Sequence, residues 1–158
     1  MAKNTIKLKN YMPTPVMEEY TSTAAAITPG HLLELDSAGL VKKHSVPGGN
    51  VLPAMFAVED ELQGRGIDTA FANSSKLQCW IPTRGDMVYA LLKDGENVAI
   101  GAALESAGDG TLQAHVPDVD SASDVTTIYG HAIVAVAVEA VDLSDSATEV
   151  GRIIVRII

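Results

Sequence analysis

The chain has 158 residues, 47% of them apolar but only 4% aromatic, and a formal net charge of −9. That length suits one domain around one core, built here from Val, Ile, Leu and Ala, and no stretch approaches the roughly 20 apolar residues of a membrane-spanning helix. The single Cys79 excludes an internal disulfide framework and a cysteine-based zinc site.

The charge is unevenly spread. Residues 1–17 hold Lys3, Lys7 and Lys9 with no acid, whereas the remainder carries −12. An acidic body repels phosphates, which argues against nucleic-acid binding by that body. The N-terminal stretch lacks the apolar core of a secretory signal, so synthesis in a cytoplasm is expected.

Taken in chain order, residues 1–26 show no helical period. Pro13 and Pro15 forbid a regular helix there, and "NTIKLKNY" alternates like an extended segment. We expect an extended N-terminal arm over 1–26, mobile or ordered only against something else, and a β domain over 27–158. "HLLELDSAGLVKKH" predicts a hairpin turning at Gly39. "NVLPAMFAVEDEL" predicts a strand ending in acids, Ile67–Ala72 a helical turn, and "KLQCWI" a strand. "VYALLKDGENVAIG" predicts a strand and an Asp94–Gly95 turn, and "AALESAGDGTLQAH" a second hairpin with a strong Asp109–Gly110 turn. "PDVDSASDVTT" predicts a polar loop, "HAIVAVAVEAVDL" a strand, and "GRIIVRII" the last strand. The expected fold class is mainly β, a compact small barrel or sandwich.

One phrase recurs. Shifted by 71 positions, Gly30, Leu33, Glu34, Gly39 and His44 fall on Gly101, Leu104, Glu105, Gly110 and His115. Val58–Glu59 then matches Val138–Glu139, with nine extra residues in the second linker. We read the phrase as scaffold, two pseudo-symmetric halves of one β domain, with glycines where a turn needs positive φ.

No catalytic, cofactor or metal constellation is expected. The histidines His31, His44, His115 and His131 lack the spacing that aims two imidazoles at one metal, and strand-end hydrogen bonding is the expected role of His44 and His115. Cys79 sits mid-strand and reads as a buried thiol. Asp118, Asp120 and Asp124 resemble a calcium loop only faintly. Arg84–Asp86 spells RGD but reads as the turn before a strand. A carrier domain would need an exposed lysine at a hairpin tip; Lys93–Asp94–Gly95 is the nearest match, so a small β binding or carrier module of a cellular complex is the alternative reading.

The phrase order of "MFAVEDELQGRGIDTAFANSSKLQCWIPTRGDMVYALLKDGENVAIGAALESAGDGTL", closed by "VAVAVEAVDLSDS…RIIVRI", resembles the capsid decoration (cement) proteins of tailed bacteriophages, of the siphophage type. The resemblance implies a β-tulip-like domain such as that of the lambda decoration protein, with an N-terminal arm lying on the capsid. It implies a non-enzymatic structural virion protein on the outer capsid surface, made in the host cytoplasm. The implied partners are the phage major capsid protein and further copies of itself, a trimer favoured over a dimer. Its implied capsid-binding residues are Lys3, Ile6, Lys7, Leu8, Lys9 and Tyr11. In "RIIVRII", Ile153, Val155 and Ile157 take one strand face, and Arg152, Ile154, Arg156 and Ile158 the other. That second face is expected to be a subunit interface unless the strand is central in its sheet.

Overall fold

A computed structural model describes residues 3–11, 13–23, 26–120, 125–127, 130–145 and 151–158. The chain is mainly β, with no α-helix among the described residues. Strand β1 is Lys7–Lys9, β2 Val16–Thr21, β3 Leu33–Leu35, β4 Val41–Lys43, β5 Phe56–Ala57 and β6 Lys76–Ile81. The second half contributes β7 Met87–Leu92, β8 Asn97–Val98, β9 Ala103–Ser106, β10 Leu112–Ala114, β11 Asp118–Asp120, β12 Val125–Thr127, β13 Ile133–Ala137, β14 Val141–Asp142 and β15 Gly151–Ile157.

In the second half β7, β10, β9, β13 and β15 pair in that order, and β15 returns to β7, closing a five-stranded barrel. The first half repeats the same cyclic order. β2 pairs with β6, β6 with β5, and β3 with β4. Two bridges, Leu32–Phe56 and the parallel Ser22–Val41, join these pieces into a ring.

The recurring phrase is therefore part of a larger duplication. The hairpin registers agree residue for residue: Leu33 faces Lys43 as Leu104 faces Ala114, and Glu34 faces Lys42 as Glu105 faces Gln113. The N–H of His44 donates to Leu32 O, and that of His115 to Ala103 O. Ser22–Val41 corresponds to Leu92–Leu112, and Ala57–Cys79 to Ala137–Val155. Gly30 and Gly101, at φ of +95° and +86°, both donate N–H bonds to the paired alanines, Ala57 and Ala137.

Inward-facing positions correspond too. Ile27, Leu33, Val41, Leu77 and Cys79 of the first barrel take the places of Val98, Leu104, Leu112, Ile153 and Val155 in the second, and all are buried. A period-two strand buries one face this way. The first barrel's other face is buried as well: Leu32, Phe56 and Trp80 join the same apolar cluster as the interior of the second barrel. The outer face of the first ring and the interior of the second thus share one core, while the first ring's own interior, around Leu33, Phe71 and Leu77, is a second cluster, so the single core expected from length is divided in two.

Several expectations change. Residues 1–26 are not an arm apart from the β domain. β2 is a full ring strand pairing six residues with β6, and β1 pairs with β7. The helical turn lies earlier than Ile67–Ala72, as a 3₁₀ turn at Glu61–Gln63, because the Asp60 carboxylate caps Gln63 N–H and Gly64 ends it in the left-handed region. The expected polar loop at 117–127 holds β11 and β12, paired antiparallel; Asp124 lies outside the described residues.

Gly30 and Gly101 separate strain from crowding. A Cβ on Gly101 meets nothing within 4 Å, whereas one on Gly30 comes within 2.7 Å of Arg152 Nη1 and 3.1 Å of Tyr89 O. Gly101→Ala should lower unfolding free energy by about 1–2 kcal/mol, the cost of a left-handed L-residue, and Gly30→Ala by clearly more. Urea unfolding of both variants checks this; equal losses would mean that the Gly30 contact relaxes freely.

Candidate functional site

The residues expected to bind a partner lie at two places on the second barrel. β1 docks antiparallel on β7, with Lys7 opposite Val88 and Lys9 opposite Met87. Ile6 is fully buried in the core and its carbonyl accepts Tyr89 N–H at 2.9 Å. The carboxylate of Glu59, itself buried, accepts the Ile6 N–H at 3.1 Å and the Thr5 hydroxyl. Tyr11 N–H donates to Asp86 Oδ1 at 2.7 Å. The expected role of Ile6 as a capsid contact is corrected: it is a core residue, out of reach of any partner.

The polar members of the segment remain accessible. Lys9 and Tyr11 are exposed and stacked, with Lys9 Nζ 4.5 Å from the ring centroid, and Lys3 Nζ lies 5.5 Å from the Tyr89 ring. Lys7 and Leu8 are half-buried, and Lys7 Nζ reaches Met17 Sδ at 3.9 Å. The result is a short basic strip fixed to an acidic body.

The C-terminal strand is central rather than peripheral, because β15 pairs with β13 on one side and β7 on the other. Arg152 is spent internally: its guanidinium donates to Pro29 O, Ile67 O and Asp68 Oδ1. Ile154 is only 9% exposed, and its N–H is held by Glu139 Oε1 at 2.9 Å. Both are corrected from interface to interior, and Ile154→Asp would damage the fold itself. Arg156 and Ile158 stay exposed.

The polar groups singled out for chemistry have structural partners. His44 is buried, and its Nε2 faces Asn50 O at 3.0 Å; a carbonyl only accepts, so Nε2 carries the proton and Nδ1 faces the Ser106 hydroxyl. His115 Nδ1 lies 2.5 Å from Glu105 Oε2. His31 is buried and accepts Thr28 N–H; burial, reinforced by nearby Lys43, pushes its pKa down to about 4. Cys79 is fully buried, and burial followed by the Glu18 charge pushes its thiol up to about 12. In the RGD turn Asp86 is buried, accepting from the N–H and hydroxyl of Thr83. Exposed Lys93 donates to Gln113 Oε1. Among the described residues no group of three or more His, Cys, Asp or Glu side chains could hold a metal ion.

Sequence reasoning missed one feature. A cavity of about 410 Å³ opens at one end of the first barrel. Tyr20, Leu35, Leu52, Met55 and Ile81 wall it, and Glu18 and Glu34 stand among its lining residues. Leu35 and Leu52 are 47% and 59% exposed. The available signal was the strand-favouring Val16, Tyr20 and Thr21 of "VMEEYT", which lacks apolar–polar alternation and so reads as part of an arm. No protein-family description and no curated protein sequence matches the chain.

Two outcomes are expected. Ile6→Ala should cost about 2–5 kcal/mol, as for other buried Ile truncations, whereas Lys9→Glu should stay within about 0.5 kcal/mol; urea unfolding distinguishes them. Because His31 takes up its proton only near pH 4 in the fold but near 6.5 when unfolded, the unfolded state binds more protons between those values. Stability should therefore fall as pH drops from about 6.5 to about 4, and His31→Gln should flatten that slope in pH-dependent melts.

Proposed function

We propose that this protein is a non-enzymatic coat component that binds the outer surface of an expanded phage capsid and stabilises it. The observation that supports this best is the basic strip of Lys3, Lys7 and Lys9, held in place by Ile6 and Glu59 on a body of opposite charge. A strip so anchored meets an acidic lattice without the ordering cost of a free tail. Repetition over many lattice sites turns a weak single contact into a tight coat. The phrase-order resemblance to decoration proteins points the same way. Self-association, if it accompanies the coat, uses a face other than Arg152 and Ile154.

Co-sedimentation with expanded, undecorated capsids tests the proposal. Wild-type protein should pellet saturably, and less so as salt is raised. A Lys3→Glu, Lys7→Glu, Lys9→Glu variant, its fold checked by melting temperature, should lose at least tenfold in apparent affinity. Absence of wild-type binding would overturn the coat function. Equal pelleting of both proteins would remove the basic strip from the contact.

A further inference from the structure

The internal duplication supplies its own comparison, and the two rings differ at one seam. In each ring the hairpin strand meets its neighbour at a single parallel position, Ser22–Val41 or Leu92–Leu112. Beyond it the edge of β7 is filled: Tyr89 N–H donates to Ile6 O, Leu91 N–H to Gly30 O and Lys93 N–H to Leu112 O. In the first ring Thr23 N–H donates to Val41 O, repeating the last of these bonds. The counterparts of the first two are Glu19 and Thr21, and no described strand pairs with that edge of β2. Ser22 N–H donates to Ser75 O on the β6 side, so the alternation of an antiparallel ladder turns Glu19 and Thr21 outward, away from β6.

The surroundings of this edge state what it can take. An open row of N–H and C=O groups is a template for an added strand. The neighbouring cavity offers apolar walls for one side chain, next to half-exposed Leu35 and Leu52. Glu18 and Glu19 are exposed on opposite faces of the strand: Glu18 lines the cavity with Glu34, which is paired with Lys42 at 2.9 Å, and Glu19 lies 3.6 Å from Lys76 Nζ on the other face. The segment that fills the equivalent place on β7 has matching character: a buried Ile6 followed by Lys7 and Lys9.

We propose that the open edge of β2 captures an extended segment of a partner protein, alternating an apolar residue with Lys or Arg, as an added antiparallel strand. Its apolar side chain enters the cavity on the face of Glu18 and Tyr20, its basic side chains alternate onto the opposite face beside Glu19, and its carbonyls accept from the N–H groups of Glu19 and Thr21. A second copy of this chain is disfavoured as donor, since its own Ile6 and β1 are already committed to its core. The inference does not depend on the capsid reading, because it concerns a different surface and is tested without capsids.

The test uses the full chain and a labelled synthetic peptide of residues 3–11, the segment already seen to fit a seam of this kind. Saturable binding is expected, with amide shifts and slowed hydrogen exchange at Glu19 and Thr21. A Glu18→Lys, Glu19→Lys variant should weaken it at least tenfold, and Leu52→Asp should do so independently; these side chains are exposed, and melting temperatures confirm folding. No binding at millimolar peptide, or binding unaffected by both variants, would overturn the proposal. So would shifts confined to Met87, Val88 and Tyr89, which mean exchange with the chain's own β1. Self-association abolished by the charge reversal would place a second copy at the edge and would equally overturn it.

Discussion

A backbone amide at the seam of a small barrel has to find an acceptor, and most of this structure follows from how that need is met. Rings of five short strands do not close with continuous ladders. Where a hairpin strand meets its neighbour at one residue only, the strand beyond is left with outward amides. In the second ring those amides belong to Tyr89 and Leu91, and two remote carbonyls, of Ile6 and Gly30, supply the acceptors. An orphaned buried amide costs far more than a paired one gains. That asymmetry holds residues 5–11 on the body.

The same demand explains why the two rings are inseparable. Gly30 must come close to β7 to offer its carbonyl, and it lies against Tyr89 and Arg152 to do so. Arg152 then satisfies the carbonyls of Pro29 and Ile67 in the adjoining loops. Around these polar contacts Leu32, Phe56 and Trp80 complete the core of the second ring. With few aromatics available, Phe56 and Trp80 carry much of that contact. Glu59 and Glu139, equivalent in the duplication, each cap a backbone N–H with a carboxylate, a strong kind of bond that suits strand exits.

Charge is organised by this arrangement rather than by composition alone. Docking β1 places a basic strip on a body of net negative charge, on the second ring. The equivalent edge of the first ring carries Glu18 and Glu19 instead. One molecule thus presents two related strand edges of opposite character, one already occupied and lysine-bearing, the other open and acidic. Such asymmetry lets each edge disfavour a segment of its own charge.

The sequence by itself determined the local structure. The alternation of Leu77, Cys79 and Ile81 in "KLQCWI" and the β-branched run of "RIIVRII" dictated strands β6 and β15, and the glycines of the repeated phrase dictated two hairpins with one register. The face assignment of Ile153, Val155 and Ile157 was equally legible, because side-chain period in a strand is fixed. What tertiary structure decided was which faces have neighbours. Outside the hairpins the duplication keeps geometry and not identity, as where Cys79 stands for Val155 and Leu77 for Ile153, so it left no repeated letters to read. "NTIKLKNY" has the same alternation whether its isoleucine lies free or buried, and only the outward amide of Tyr89 in β7, 83 residues from Ile6 in the chain, makes it part of the core. Likewise the apolar cavity beside β2 arises from five segments that converge only on folding. Periodicity records which side of a strand is apolar; long-range hydrogen-bond demand decides what covers it.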